Sequence, residues 1–375
     1  MHLNKAGGDF MAKHIQQIDI EAYRGIHDLT LKNLNSINIL TGNNNSGKTS
    51  VLELISSLRD PYSILAWTGM ILNRVSSVRK KLFYQEFYNL FPVDAKQKVI
   101  GYKFLDNNEV IRKVELKAEI DEIQIPEQEM LRINRLTRTE VLKETDDIID
   151  AKYMKLTTYV NEEKTNEDAL YDFQNNIPYV VEEKDIFLRT VYVSPVDHIR
   201  ENLYLNYILS DSEMYEEMLS MLRTFDENII GISAIPTDIN GSAPEYMILT
   251  KDHKKALPLN VFGDGMKKAI LLLSAVVKAK DGILLLDEFE TAIHTSAMDS
   301  VFSWILESAK RLNVQVFLTS HSKEAIEKVL KCNKELQADI QVYTLYKKAG
   351  RHLVRTMTCE EAINAQDCLG LELRL

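Results

Sequence analysis

Gly42-Asn43-Asn44-Asn45-Ser46-Gly47-Lys48-Thr49, followed by Ser50, is the stretch on which the fold turns. The β-branched segment 36–41 leads into it, and Val51, Leu52, Leu54, Ile55 and Leu58 follow at helical spacings of three and four. The pattern predicts a buried strand, a glycine-bounded turn and an amphipathic helix in succession. Glycines let the backbone wrap closely, so that successive amide N–H groups point inward, and a helix beginning near Lys48 adds its positive dipole end. The eight residues match the phosphate-loop pattern. In that pattern Lys48 bridges the β- and γ-phosphates and the Thr49 hydroxyl ligates magnesium. Gly42, Asn43, Asn44, Asn45, Ser46, Gly47, Lys48, Thr49 and Ser50 are therefore expected to bind ATP with Mg2+.

Such a loop needs a second carboxylate for the metal and a group that activates water. Gly282-Ile283-Leu284-Leu285-Leu286-Asp287-Glu288 supplies both. Four apolar residues form a buried strand that ends in acid at the sheet edge where ligands bind. Asp287 is assigned to the metal, reached through its water shell. Glu288 is placed to orient and deprotonate the attacking water. The next strand, 314–318, runs into Thr319-Ser320-His321-Ser322, which sets His321 beside Glu288 in a parallel sheet and facing the γ-phosphate. Lys48, Glu288 and His321 form the expected catalytic set.

Outward from these motifs, strands are expected at 15–23 and 29–31, at 190–193, 229–235 and 246–250, and at 340–347 and 352–356. Helices are expected at 199–209, 212–222, 265–278, 296–312, 323–330 and 360–366. Strand–helix alternation at both ends implies an α/β fold with a mostly parallel, helix-covered sheet. The middle reads less clearly. Two strands, 98–104 and 110–120, flank an Asp106-Asn107-Asn108 turn, 127–142 reads as a helix, and 146–176 is polar and acidic. Residues 1–60 and 190–375 are expected to form the two parts of an ATPase domain, with 61–189 as an inserted α+β and helical lobe. Nearly two thirds of the chain separates Lys48 from Asp287, far more than a compact P-loop enzyme needs. No internal repeat or low-complexity tract interrupts the pattern.

The 375-residue chain carries a net charge of −10, which argues against non-specific nucleic-acid binding by the whole surface. Cys332, Cys359 and Cys368 lack zinc or disulfide spacing, consistent with a reducing, cytoplasmic setting. No export signal is evident, and Met11 is an alternative start to Met1. The longest apolar run, 269–277, is closed by Lys268 and Lys278 and is about half of the roughly 20 residues a membrane span needs. It reads as a core helix, and no membrane association is expected.

Taken in order, four stretches resemble the ABC-type ATPases of the SMC, RecF and OLD group. They are Tyr23-Arg24-Gly25-Ile26 with 38–49; Phe262-Gly263-Asp264-Gly265-Met266-Lys267-Lys268; Leu286-Asp287-Glu288-Phe289-Glu290 through His294; and Phe317-Leu318-Thr319-Ser320-His321-Ser322. Within the group the resemblance is to OLD-like AAA ATPases of bacterial defence and toxin–antitoxin loci. It spans roughly 13–60 and 190–375, and the ending 360–374 shares it. The resemblance implies an ABC-type P-loop sheet and head-to-tail dimers that sandwich each ATP between one copy's phosphate loop and the other's signature loop. Gly263, Asp264, Gly265 and Lys267 would be that signature acting in trans, and Arg24 a phosphate contact. Two departures stand out. Gly263 occupies the place of the signature serine of transporters and SMC proteins, and His294 stands near their D-loop aspartate; both fit the OLD-like group. No glutamine marks a Q-loop, whose place Ser194-Pro195 takes.

OLD nucleases carry a fused TOPRIM domain beyond this point. The stretch from His321 to Leu375 is too short for one, so the resemblance points to a separately encoded effector, a nuclease or toxin, controlled by ATP-driven dimerisation. A RecF- or SMC-like ATPase binding duplex DNA is the alternative, with Arg132, Arg135 and Arg138 on one helix face, though the heptads of an SMC arm are missing. A scaffold in which ATP only stabilises assembly is a third reading, opposed by Glu288.

Overall fold

The computed structural model describes residues 12–74, 83–93, 95–134, 147–174, 186–200, 203–235 and 244–369. The chain opens with β1 (Ile15–Tyr23), β2 (Ile26–Leu31) and β3 (Ile37–Gly42), then α1 (Lys48–Ser56), α2 (Leu65–Arg74) and α3 (Phe83–Tyr88). The middle contributes β4 (Lys98–Asp106), β5 (Ile111–Pro126), α4 (Glu127–Asn134), β6 (Ile148–Val160) and β7 (Glu163–Tyr171). Next come β8 (Thr190–Val193), α5 (Leu205–Leu209), α6 (Ser212–Leu222), β9 (Ile229–Ile235), β10 (Glu245–Thr250), β11 (Leu257–Pro258) and α7 (Asp264–Lys278). The last third runs β12 (Ile283–Leu286), α8 (Thr295–Arg311), β13 (Gln315–Thr319), α9 (Lys323–Lys331), β14 (Ile340–Lys348), β15 (Arg351–Thr358) and α10 (Cys359–Leu369).

One six-stranded sheet has the order β15-β14-β3-β13-β12-β8, parallel apart from the edge strand β15. Its inner strands β3, β12 and β13 are buried along their whole length, as expected of parallel strands covered on both faces. The alternation still sorts their side chains. Leu284, Leu286, Val316 and Leu318 join a core with α7, α8 and α9, while Ile283, Leu285 and Phe317 join a second core with α1, β1 and β2. Helix α1, which follows the 42–47 turn, and helix α7 therefore lie on opposite faces of one sheet.

A second sheet, in the order β2-β1-β4-β5-β6-β7, is antiparallel. The stretch expected as an inserted lobe thus continues the sheet that β1 and β2 begin. The polar tract 146–176 contains two strands, β6 and β7. Tyr153, Thr157 and Lys155 pair with Tyr171, Glu167 and Ala169 across them, and charge on the exposed face hides the apolar alternation. Sequence expected a helix over 127–142; the described part is α4, and Arg135 and Arg138 lie outside the described residues. So do 370–375 and both candidate starting methionines.

One buried amide joins the sheets. The Gln315 side chain accepts from the Ile15 N–H at 3.0 Å and donates to the Ile15 and Asn35 carbonyls at 2.9 Å each. All its polar atoms are used, so its complete burial carries no desolvation penalty of the kind an unmet amide would. Elsewhere, the helix expected at 199–209 is a 3-10 turn, Asp197–Arg200, followed by the short α5. No helix of the described residues is long and apolar enough to cross a membrane.

Candidate nucleotide site

The strand-to-helix turn after β3 is built on backbone conformations that ordinary side chains avoid. Gly42 has φ 136°, Asn45 61° and Gly47 101°. A Cβ on Gly42 would stand 2.1 Å from the Leu345 carbonyl oxygen of the neighbouring strand β14. Gly42→Ala is accordingly expected to cost at least about 2 kcal/mol, from strain plus backbone displacement. Urea unfolding should show this as a lower midpoint with an unchanged slope.

Lys48 opens α1 and is 5% exposed. Its Nζ donates to the Gly42 and Asn43 carbonyls at 2.9 and 3.0 Å. Burial lowers its pKa first, and Asp287, Glu288 and Glu290 oppose that shift. Asn44, Asn45, Ser46, Gly47, Lys48, Thr49 and Ser50 line one cleft of about 660 Å³ together with Glu288 and His321. The Ser46 hydroxyl is buried in this wall without a hydrogen-bond partner among the described residues.

Asp287 is held by three hydroxyls. Thr49 Oγ1 and Thr319 Oγ1 donate to its Oδ1 at 3.2 and 2.6 Å, and the Tyr192 OH donates to Oδ2 at 3.0 Å. Thr319 also accepts the Glu288 N–H at 2.8 Å. That bond stabilises Glu288 in a left-handed conformation, φ 43°, of the sort that concentrates at working sites. The Glu288 carboxylate stands 3.7 Å from His321 Nε2. The Thr49 and Asp287 oxygens, the orphaned Ser46 hydroxyl and the inward amide turn form a donor set suited to a phosphate chain with a hard divalent cation.

The other expected contacts lie outside this cleft wall. Arg24 is directed at the Tyr23 OH, 3.1 Å, and at Glu53, 3.5 Å, while its neighbours Gly25 and Ile26 line the cleft. Gly263, Asp264, Gly265 and Lys267 sit at the N-terminal end of α7, where Lys267 pairs with Asp264 at 2.8 Å. A Cβ on Gly263 would meet nothing within 4 Å, so the helix end is open at Gly263, whereas a Cβ on Gly265 would stand 3.1 Å from the Ala292 carbonyl oxygen. Next along α7, Lys268 is fully buried and its pKa falls to about 8, chiefly through burial. Its Nζ points to the Ser194 carbonyl at 3.4 Å, tying α7 to the segment after β8. His294 caps α8, its Nδ1 accepting the Ser296 N–H at 3.3 Å.

Sequence reasoning gave no role to Tyr192, Thr319, Lys347 or His352. The first two grip Asp287, and the other two line the cleft from the β14–β15 hairpin. Nothing in the residue type of Tyr192 announces this role. Tyr192 pairs with Leu285, two residues before Asp287, on a strand where Val191 and Val193 face the other way.

The chain matches, over residues 37–327, the family described as "AAA domain, putative AbiEii toxin, Type IV TA system". It belongs to this AAA-domain family. An "ATP/GTP phosphatase" of Helicobacter pylori is 26% identical over 330 residues, covering 84% of this chain and 86% of the relative. "Uncharacterized protein MJECL11" of Methanocaldococcus jannaschii is 32% identical over 114 residues, 30% of this chain and 98% of that protein. Among solved structures, the SMC head bound to the C-winged helix domain of ScpA aligns with a TM-score of 0.50 at 12% identity, covering 94% of this chain and all of that one. Family and fold together give this AAA-family member the ABC-type P-loop NTPase fold.

Proposed function

We propose that the chain hydrolyses ATP with magnesium as one half of a composite site, and that ATP-driven dimerisation controls a separately encoded effector in a defence or toxin–antitoxin system. The observation that carries the reading is the Asp287 carboxylate. It is gripped by Thr49, Thr319 and Tyr192, with Glu288 and His321 beside it and the signature glycines outside the cleft. Thr49 and Asp287 would hold the magnesium ion, which when bound draws charge from the β- and γ-phosphates. Lys48 neutralises the same phosphates, Glu288 takes the proton of the attacking water, and His321 is the γ-phosphate sensor. The open α7 terminus at Gly263 supports the in-trans assignment, since amides there are free to meet a phosphate held by a second copy. The type IV toxin–antitoxin wording of the family supports the effector, and the cytoplasm is its setting in this reading.

Complementation tests the composite site. Gly263→Asp meets no neighbour and places negative charge at the signature terminus. Alone it should be inactive, as should Lys48→Ala. Mixed in equal amounts the two should recover up to about one quarter of wild-type turnover, because half the dimers carry one intact site of two. A mixture as inactive as its parts would end the in-trans assignment.

A further inference from the structure

Glu290 lies two residues beyond Glu288, outside the cleft wall, and its carboxylate faces the turn that carries His321. Its Oε1 accepts from Ser320 Oγ at 2.8 Å, the His321 N–H at 3.1 Å and the Ser322 N–H at 3.2 Å. Three donors converging on one carboxylate oxygen form a strong, charge-assisted clamp. Two further bonds join the same two turns. The Glu288 N–H reaches Thr319 Oγ1 at 2.8 Å, and the Phe289 N–H reaches the Thr319 carbonyl at 3.3 Å. The second Glu290 oxygen, Oε2, is buried and has no hydrogen-bond partner among the described residues. An oxygen left unmet in this way costs stability. The fold therefore tolerates a cost at Glu290 that a smaller apolar residue would avoid.

We infer that Glu290 is a positioning residue: it fixes the 320–322 turn so that His321 and Glu288 face the γ-phosphate as one unit. The inference rests on the ATPase reading above. Glu290 itself touches no phosphate, so its effect passes through the placement of His321. Such a role acts on the chemical step and leaves ground-state binding alone. Lys48, Ser46 and the loop amides, which hold the nucleotide, do not depend on the 320–322 turn.

The test is steady-state ATP turnover with separately measured ATP affinity, for Glu290→Ala, Glu290→Gln, His321→Ala and the Glu290→Ala/His321→Ala double variant. Glu290→Ala should lose about 10²-fold in kcat, the scale of a displaced polar catalytic group, with Kd for ATP within about twofold of wild type. Glu290→Gln keeps an acceptor oxygen at the clamp and should recover at least about tenfold of that loss. The double variant should be no slower than His321→Ala within about twofold, because both changes remove one unit. Losses that multiply in the double variant, a Glu290→Ala enzyme at wild-type rate, or a Glu290→Gln enzyme as slow as Glu290→Ala would each overturn the assignment. If Glu290→Ala does not fold, Glu290→Gln decides: wild-type affinity with kcat within about tenfold of wild type supports the clamp, and a larger loss refutes it. Wild-type protein without ATP turnover would overturn the ATPase reading and this inference together. Normal wild-type turnover with a failed cycle overturns this inference alone.

Discussion

Lys48→Ala should reduce ATP affinity by about 10²-fold or more, and turnover should vanish with it. The ammonium group is buried among loop carbonyls, where a charge-assisted bond to phosphate is worth about 1.5–3 kcal/mol. Each 1.4 kcal/mol is a factor of ten in Kd, so two phosphate contacts reach the stated scale. The two carbonyl bonds to Gly42 and Asn43 vanish in the same variant. Part of the loss is thus a loop whose carbonyls are no longer drawn together. Isothermal titration with ATP reads the effect directly, and ADP serves as comparison. Affinity equal to wild type would remove the 42–50 turn from nucleotide binding.

Glu288→Gln should behave in the opposite way. Glutamine has the same shape and the same backbone demand at φ 43°, and the Thr319 bond to the residue 288 N–H survives. Folding stability should therefore change little. What disappears is the ability to accept a proton, a loss of about 10²–10⁴-fold in turnover for a general base. ATP should stay bound, and under the proposed reading the protein should accumulate as an ATP-held dimer, visible as a doubled mass in sedimentation. An unchanged hydrolysis rate would take Glu288 out of the catalytic role.

The contrast between the two ends of the chain explains what could be read in advance. Strands β3, β12 and β13 are buried along their whole length because both of their faces are covered, and each runs into a polar turn, glycine and asparagine after β3, acid after β12 and Ser-His-Ser after β13. That punctuation is local, so the cradle, Asp287-Glu288 and His321 were all legible. The β9 strand and the end of α7 came out at their observed limits for the same reason. Sheet β4–β7 was half legible. β4 and β5 flank an Asp106 turn whose carboxylate takes the Asn108 and Val110 N–H groups, a side-chain signal visible in the residues themselves. β6 and β7 have no such punctuation, and the exposed Glu163, Lys164, Glu167 and Asp168 mask β7 with charge. What single-chain reading could not supply was the grip of Tyr192 and Glu290 on their partners. Both contacts depend on strands or turns far apart in sequence, and neither residue type announces a partner.

The register of the second sheet has a consequence at the mouth of the cleft. β4 pairs with β5 only as far as Lys98 opposite Ala118, yet β5 continues to Pro126, paired throughout with β6 as far as Ile148. The unsupported length is eight residues of β5, about 26 Å at the usual strand rise. Because Ala22 lies opposite Gly101, this overhang leaves the sheet at the end where Gly25 and Ile26 border the cleft. Beyond Asp121, opposite Tyr153 and its β7 partner Tyr171, only β5 and β6 remain as a two-stranded rib, and Ile120 and Ile148 are exposed along the overhang. Gly25 and Ile26 share the cleft lining with Lys347 and His352 of the β14–β15 hairpin. A body that docks over the nucleotide edge therefore meets, beside the phosphate loop, the end of the second sheet from which this rib projects.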